Sequence, residues 1–184
     1  MTTDKSKITI HMVSSLDGFI AKKDGSISWL QSTDNYEKGV ILTEESIADL
    51  LKSIDCYVMG SRTYEHALEL GWPYGEVPVI VLTHRELKTE RDNVEFCSGD
   101  LENLVNDRLK PIYKNIWIVG GAFLTRDFIR LQLADDLIIS IMPVVLGDGK
   151  LFFDYIGQEQ RLHLKDVTAY KDGMVEMWYE IIKE

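Results

Sequence analysis

Apolar positions in this chain form short runs separated by amphipathic segments, a pattern typical of an α/β protein. Residues 79–82 and 116–119 are apolar at every position, as strands are when helices cover both faces of their sheet. Segments with helical periodicity lie between several of these runs, so strands and helices alternate along the chain. The pattern therefore predicts three layers, with a mostly parallel sheet between two layers of helices.

The apolar runs also place the individual strands. They predict strands at residues 8–13, 56–60, 79–83, 94–96, 116–119 and 137–142, with the first strand continuing through Gly18 to residue 21. Residues 161–171 and 174–182 have strand character on either side of Asp172 and Gly173, a pair typical of a two-residue hairpin turn. The sheet is therefore expected to end in an antiparallel hairpin.

Capping residues and breakers place the helices. Thr43 is a suitable N-cap for a helix with apolar residues at 47, 50, 51 and 54. A second helix is expected at residues 61–70, directly after Gly60. Asp100 can cap a third helix, which we expect to end near Leu109 because Pro111 follows. A fourth helix is expected after Gly121.

Length and charge limit the classes of protein to consider. One domain over residues 1–184 is expected, because the chain is long enough for one buried core and short for two domains. A formal net charge of -10 repels the phosphate backbone of nucleic acids, so we expect no nucleic-acid partner. No apolar run approaches the roughly 20 residues of a membrane-spanning helix, and residues 1–7 are polar, unlike a secretory signal. A cytoplasmic protein without a membrane partner is expected.

Cysteine and histidine spacing gives no sign of a metal centre. Cys56 and Cys97 are far apart, and neither belongs to a C-x-x-C sequence. The four histidines show no H-x-x-x-H or H-E-x-x-H spacing. We therefore expect structural thiols and no metal.

Two of the strand runs end on glycine and lead directly into a helical pattern. Residues 56–60 precede the helix that begins at Ser61, and residues 116–120 precede the helix that follows Gly121. Glycine lets a ligand approach the backbone closely, and the start of a helix offers unpaired N–H groups and the positive end of its dipole. The G-x-G-x-x-G spacing is absent. The two junctions predict either a dinucleotide site of another type or close packing of helix on strand.

Six segments of the chain carry a family resemblance. In order they are residues 15–21, 59–65, 81–83, 119–122, 133–137 and 143–149. Together they resemble the dihydrofolate reductase-like superfamily, especially the stand-alone relatives of the C-terminal reductase domain of riboflavin biosynthesis proteins. The resemblance covers nearly the whole chain and implies the dihydrofolate reductase-like three-layer α/β fold.

The same resemblance implies NADPH as cofactor and assigns residues to it. The pyrophosphate and nicotinamide side would be bound by Val119, Gly120, Gly121, Ala122, Phe123 and Leu124, and the other helix start would contribute Gly60, Arg62 and Thr63. Val13 and Ile20 would line the nicotinamide pocket. Thr83, His84 and Arg85 would surround the adenosine ribose and its 2′-phosphate, or they form a solvated turn. Ser61 stands where many relatives have arginine directly after the glycine.

Hydride transfer also needs a proton donor, for which the sequence offers two aspartates. Asp34 lies five residues after Trp29, a spacing that resembles the tryptophan and acid of dihydrofolate reductases, but it is equally suited to the surface. Asp17 belongs to the well-matched Ser-Leu-Asp-Gly segment, and Asp before Gly is also ordinary turn chemistry. Trp29 and Asp136 are the expected substrate contacts, with core packing and strand capping as their respective alternatives.

Two departures from the riboflavin-pathway reductases bear on the substrate. Those reductases commonly have glutamate just before the paired glycines, where this chain has Val119. Their phosphate-binding segment is replaced here by residues 69–75, in which Trp72 and Tyr74 offer flat apolar walls or ordinary packing.

These observations predict an NADPH-dependent oxidoreductase that transfers hydride to a small planar heterocycle. Its activity would be like that of 5-amino-6-(5-phosphoribosylamino)uracil reductase or dihydrofolate reductase. The alternatives are a dinucleotide-binding module without turnover and a structural domain that self-associates. A homodimer is expected, since relatives are often dimers and residues 138–145 with the terminal hairpin offer apolar surface.

Overall fold

A computed structural model describes residues 5–183, and the predicted apolar runs form its strands. The strands are β1 (Lys7–Ser15), β2 (Phe19–Ala21), β3 (Cys56–Gly60), β4 (Val79–Leu82), β5 (Val94–Cys97), β6 (Asn115–Gly120), β7 (Asp136–Met142), β8 (Lys150–Leu151), β9 (Leu162–Ala169) and β10 (Val175–Ile181). The helices are α1 (Glu44–Lys52), α2 (Ser61–Glu69), α3 (Leu101–Asn103), α4 (Lys110–Ile112) and α5 (Ala122–Arg130). A 3₁₀ turn spans Ser28–Leu30, and a π-helical turn at Leu104–Leu109 joins α3 to α4. In this described part of the chain, no helix is long and apolar enough to cross a membrane.

Eight strands form one sheet in the order β5-β4-β3-β6-β1-β7-β10-β9. The six strands from β5 to β7 run parallel, whereas β10 is antiparallel to β7 and β9 is antiparallel to β10. The mostly parallel sheet with an antiparallel hairpin at its end is therefore confirmed. β1 occupies an inner position between β6 and β7.

Alternate residues of the central strands point to two different layers, as the period of a strand requires. On one side, which we call the α5 face, Val58 and Ile118 belong to the same buried cluster as Phe128 of α5. On the other side, the α2 face, Tyr57 and Tyr64 belong to a second buried cluster. The three-layer arrangement predicted from the sequence is thus confirmed.

The chain after β1 does not continue the first strand, contrary to the prediction. The Gly18 N–H donates to the Ser15 carbonyl oxygen over 3.0 Å, which closes a turn. Gly18 has a φ of 84°, a left-handed conformation that suits glycine. The residues that follow form β2, which pairs with β8 in a separate two-stranded sheet. The glycine interruption ends one strand and begins another.

The terminal hairpin forms as predicted, but its loop has three residues and not two. The Tyr170 N–H donates to the Met174 carbonyl oxygen over 2.8 Å, so residues 171–173 form the loop. Gly173, with a φ of 82°, takes the left-handed position at the end of this loop. A turn followed by a left-handed glycine is the usual three-residue hairpin connection.

The third helical segment passes the point where Pro111 was expected to stop it. Pro111 lies within α4, and the Tyr113 N–H donates to the Leu109 carbonyl oxygen over 2.9 Å. Pro111 has no N–H to donate, but the N–H of Lys110 before it still donates to the Val105 carbonyl oxygen, so the path continues past the proline. The helical path therefore ends at Ile112.

Candidate functional site

The two strand-glycine-helix junctions lie side by side. β3 and β6 are parallel neighbours in the sheet, so their carboxyl ends, and the starts of α2 and α5, meet at the same edge. A Cβ atom added to Gly121 would lie 3.9 Å from Thr63 Oγ1 of α2. The parallel order thus creates one cleft from two segments that are far apart in the sequence.

The glycines at this edge have different roles. Gly60 has a φ of −81°, and a Cβ added to it would meet no atom within 4 Å. Gly121, with a φ of −78°, would meet only the Thr63 side chain. Neither φ value requires glycine, and the missing side chains leave open space in front of both helix starts. Gly120 differs, since its φ is 106° and an added Cβ would lie 2.8 Å from Met12 Cε.

The helices that open onto this cleft lack the side-chain caps that two others have. Thr43 caps α1 by accepting the Ser46 N–H, and Asp100 caps α3 by accepting the Asn103 N–H. At α2 and α5 the cap residue is glycine, no side-chain cap bond is made, and no acidic residue lies in the first turn. Their first N–H groups therefore remain available to an anionic group, which the helix dipole also favours.

The segment after β4 contributes positive charge next to α2. The Thr83 hydroxyl oxygen accepts the Arg85 N–H over 3.0 Å and fixes the turn. The Arg85 guanidinium donates two hydrogen bonds, of 3.0 and 2.6 Å, to the carboxylate of Glu65 on α2. The pKa of Glu65 is lowered, chiefly by these bonds. Arg62 and His84 are exposed at the same edge.

The predicted nicotinamide contacts fall into two groups. Val13 packs against the buried cluster of Trp29, Met142 and Met174, whereas Ile20 packs against the α5-face cluster that contains buried Leu124. The remaining three predicted contacts differ in burial: Val119 is partly buried on the α2 face, Ala122 is partly buried, and Phe123 is 60% exposed. The wall of the cleft is therefore apolar on both sides of β1.

Asp17 holds a loop. Its carboxylate accepts the Ser15 hydroxyl over 2.6 Å and the N–H groups of Leu146 and Gly147 over 3.0 and 2.7 Å. The pKa of Asp17 is lowered, first by the Ser15 bond and further by the two backbone bonds. A carboxyl group that is held in its charged form is a poor proton donor at neutral pH. These contacts match the turn role that its Asp-Gly sequence also suggested.

Asp34 lies outside any apolar pocket. Its side chain is exposed, accepts the Asn35 N–H over 2.9 Å, and lies against the Gly173 backbone of the terminal hairpin. Trp29 is buried with Met142 and Met174, and its Nε1 has no hydrogen-bond partner within residues 5–183. The tryptophan thus belongs to the core beneath the hairpin, and the aspartate to its surface.

Asp136 lies on the amino-terminal side of the glycine cleft, two strands away from β6. It is the first residue of β7 and pairs in register with Thr9, which in turn pairs with Trp117 of β6, whereas the glycine junction begins at Gly120. About three residues of strand, roughly 10 Å, separate the two levels, and β1 lies between β7 and β6. The structure therefore does not bring Asp136 together with the glycine junctions.

Sequence reasoning missed a polar cluster on the α2 face. His11 Nε2 lies 3.2 Å from Ser140 Oγ, and Ser140 donates to Glu176 over 2.9 Å. Tyr170 donates to the other Glu176 oxygen over 3.4 Å, and the His11 ring packs edge-on against Trp117 with a centroid distance of 4.6 Å. His11 Nε2 also lies 3.5 Å from Glu176 Oε2, and this contact is the chief cause that lowers the pKa of Glu176. We call these five side chains the polar floor.

The segment that carries α1 crosses the α2 face of the sheet, on the same side as the polar floor. Val40, before α1, bridges to Tyr170 beside β9, and the chain after α1 enters β3, five strands away in the sheet order. With strands about 4.8 Å apart, the chain crosses about 24 Å. Ile54, which follows α1, is buried in the α2-face cluster, so this segment lies on the α2 face of the sheet. No α1 residue is buried, and its three large apolar residues remain about 40% exposed: Ile47 39%, Leu50 43% and Leu51 40%.

Comparisons with known proteins give the family and the fold. Residues 6–175 match the family model described as the RibD C-terminal domain. The uncharacterized protein YwjB of Bacillus subtilis (strain 168) is 34% identical over 167 residues, which cover 89% of this chain and 92% of YwjB. Among solved structures, a putative riboflavin biosynthesis protein from Shewanella sp. PV-4 has a TM-score of 0.82 at 24% identity, covering 96% of this chain and 99% of its own.

Two enzymes share the fold at lower identity. The diaminohydroxyphosphoribosylaminopyrimidine deaminase/5-amino-6-(5-phosphoribosylamino)uracil reductase of Thermotoga maritima has a TM-score of 0.69 at 15% identity, covering 98% of this chain and 58% of its own. The dihydrofolate reductase of Enterococcus faecalis, solved with NADP(H) and RAB-propyl, has a TM-score of 0.61 at 16% identity, covering 96% and 97%. The expected dihydrofolate reductase-like fold is thereby confirmed.

Proposed function

The chain belongs to the RibD C-terminal domain family, and from this membership we propose that it is an NADPH-dependent reductase that transfers hydride to a small planar heterocycle. The observation that carries the proposal is the open space in front of Gly60 and Gly121, between two helix starts without side-chain caps. Solved relatives of the fold include a pyrimidine reductase and a dihydrofolate reductase bound to NADP(H), which supports the choice of reaction and cofactor.

The residues at the cleft fit a phosphate-bearing dinucleotide. The N–H groups at the starts of α2 and α5 would bind the pyrophosphate, and Gly60 and Gly121 would let it approach the backbone. Thr63 adds a hydroxyl between the two helices, and Arg62 and Arg85 supply positive charge at the β4 side. When bound, NADPH supplies hydride to an electron-poor carbon of the substrate. The chain's part is to hold that carbon close and to keep water away.

The substrate would lie between α1 and the polar floor. The floor offers the partly buried Trp117 ring and Glu176 carboxylate, and α1 offers half-exposed apolar side chains. A planar ring with N–H donors matches this combination, because its faces are apolar and its edge can donate to a carboxylate. This favours a pterin-like or pyrimidine-like heterocycle.

Nucleotide binding tests the cofactor part of the proposal. Gly60→Ala should weaken NADPH about tenfold or more in calorimetric titration, because a methyl group would occupy the space in front of α2; tenfold is about 1.4 kcal/mol. The free energy of unfolding should change by less than about 1 kcal/mol, since φ at Gly60 suits alanine. Gly121→Ala should behave alike. The cofactor assignment is refuted if the wild type binds neither NADPH nor NADH, or if both variants bind as tightly as it does.

A turnover assay separates the enzyme from a binding module. NADPH oxidation is followed by the loss of its near-ultraviolet absorbance with dihydropterins, aminopyrimidine ribitol compounds and quinones. Oxidation above the rate without substrate supports the reductase. Tight NADPH binding with no oxidation across this set would instead establish a dinucleotide-binding module without turnover.

We also propose a homodimer formed through the terminal hairpin. On the α5 face, three apolar residues of the edge strand β9 stay about half exposed: Leu162 40%, Leu164 48% and Val167 50%. Their register partners on β10 are Ile181, Tyr179 and Met177. A sheet edge with a continuous apolar side favours association, and a second copy offers a self-complementary surface of the same kind.

A further inference from the structure

The positive charge at the β4 side of the cleft is largely committed to one carboxylate. Glu65 receives both terminal N–H groups of Arg85, one on each oxygen, over 3.0 and 2.6 Å. In this bidentate pair, the guanidinium donates to Glu65 the same two N–H groups that it could donate to a phosphate. The pKa of Glu65 is lowered first by the Arg85 bonds and also, through charge alone, by Arg62. Glu65 therefore interacts with both arginines at this edge.

The position of Glu65 makes this a competition within the site. It lies in the second turn of α2, four residues after Ser61, and its partner Arg85 belongs to the turn that Thr83 fixes. A phosphate group paired with Arg85 would lie within a few ångströms of the Glu65 carboxylate. The two negative groups would repel each other, and the phosphate would have to displace the hydrogen bonds between Arg85 and Glu65.

The Glu65 carboxylate would interact favourably with a ribose that has no 2′-phosphate. A sugar hydroxyl can donate a hydrogen bond to a carboxylate, which accepts only. An acidic residue next to a ribose therefore favours free hydroxyls and disfavours a phosphate at the same place.

We propose that Glu65 sets the preference of this chain between nicotinamide nucleotides with and without a ribose 2′-phosphate. By holding Arg85, it weakens NADPH relative to NADH, so the wild-type preference for NADPH is smaller than the two arginines alone would give. The inference rests on the proposed function, since it concerns the same cleft.

Calorimetric titration of NADPH and NADH tests the proposal with a charge-matched control. Glu65→Gln keeps the shape of the side chain and removes its charge. It should strengthen the preference for NADPH: the dissociation constant of NADH divided by that of NADPH should rise about two- to fivefold, as expected for an exposed charge. Glu69→Gln removes the same charge from the last residue of α2, where the carboxylate lies 3.4 Å from His66, and should leave the ratio unchanged.

Two further measurements test whether Glu65 changes the nucleotide preference through Arg85. In an Arg85→Ala background, Glu65→Gln should change the ratio less, because the guanidinium that it releases is absent and only the direct effect of the carboxylate on the ribose and its phosphate remains. The effect of Glu65→Gln should also shrink between about 50 mM and about 500 mM salt, because added ions screen exposed charges. An equal effect with and without Arg85 would overturn the proposal.

The outcomes distinguish this inference from the proposed function. If the wild type binds neither nucleotide, the proposed function itself fails, and this inference with it. If the wild type binds both nucleotides but Glu65→Gln leaves their ratio unchanged, or Glu69→Gln changes it equally, only the role of Glu65 is refuted.

Discussion

Replacing Asp136 by asparagine should destabilise the protein strongly without affecting the cleft. Asp136 is 2% exposed and accepts from Lys7 Nζ at 2.7 Å and Lys165 Nζ at 3.0 Å, and from the Trp178 indole N–H. Both ammonium groups also lie over the Trp178 ring, 5.2 and 4.1 Å from its centroid. The carboxylate is thus the shared partner of two cations at the start of β7.

The cost follows from leaving two positive charges without their counter-charge. Removing one partner from a buried ion pair costs about 3 to 5 kcal/mol. Lys7 and Lys165 are 39% and 30% exposed, so water compensates part of the loss. The amide oxygen of the introduced asparagine can still accept from Trp178. We therefore expect a loss of about 2 to 3 kcal/mol from a total stability of about 5 to 15 kcal/mol.

Urea unfolding at pH 7 measures this cost from the shift in midpoint at constant slope. Asp107→Asn, at an exposed carboxylate of the π-helical turn, is the control and should change stability by less than about 0.5 kcal/mol. Lys165→Met should destabilise the wild type more than it destabilises Asp136→Asn. In the Asp136→Asn background, the ion pair between residues 136 and 165 is already lost, so the second substitution has less to remove. A cost below about 1 kcal/mol for Asp136→Asn, or equal costs of Lys165→Met in both backgrounds, would refute the reasoning.

The pH dependence has a defined sign. Burial raises the pKa of Asp136, but the hydrogen bonds from Lys7, Lys165 and Trp178 outweigh it, and the net pKa is lowered from 3.8. The stabilisation is therefore complete above the unfolded pKa and is lost as the pH falls through the folded one. The difference between wild type and Asp136→Asn should be constant from about pH 7 to about 5 and shrink below about 4. NADPH affinity should be unchanged, and so should the substrate KM, which a direct substrate contact at this position would alter.

Three further predictions concern other elements. Gly120→Ala should cost about 2 to 4 kcal/mol in urea unfolding, because φ is 106° and the new Cβ would lie 2.8 Å from Met12 Cε; a cost below about 1 kcal/mol would contradict this. Asp17→Ala should speed hydrogen exchange of the amides at residues 146–147, which lose their acceptor, and unchanged rates there would exclude the loop-holding role. Val167→Glu should halve the molar mass in sedimentation equilibrium, and an unchanged dimer would move the interface elsewhere.

Local sequence signals were sufficient for the elements that frame the glycine cleft. Unbroken apolar runs ending on Gly60 and Gly120 indicated buried strands, and their parallel pairing followed from the helices between them. Thr43 and Asp100 cap their helices as predicted. These signals depend on neighbours in the chain, which is why they can be read without a structure.

The parts that sequence reasoning missed depend on the order of strands in the sheet. His11, Ser140 and Glu176 meet because β7 lies between β1 and β10, and no local pattern specifies that order. The separation of Asp136 from the glycine junctions also depends on this order, since β1 lies between its strand β7 and β6. The hairpin loop was one residue longer than the Asp-Gly pair suggested, because Gly173 follows the turn and does not lie within it.

The bridge between Val40 and the segment after β9 sets an order of assembly during synthesis. The Val40 N–H donates to the Ala169 carbonyl oxygen over 2.8 Å, and the Lys171 N–H donates to the Val40 carbonyl oxygen over 2.9 Å. Val40 is synthesised early, yet its partners emerge only with the last part of the chain. The strands and helices around both glycine junctions, residues 56–130, are complete before that point. The amino-terminal end of the α1 segment is therefore anchored late, after the edge of the sheet with the glycine junctions has been synthesised.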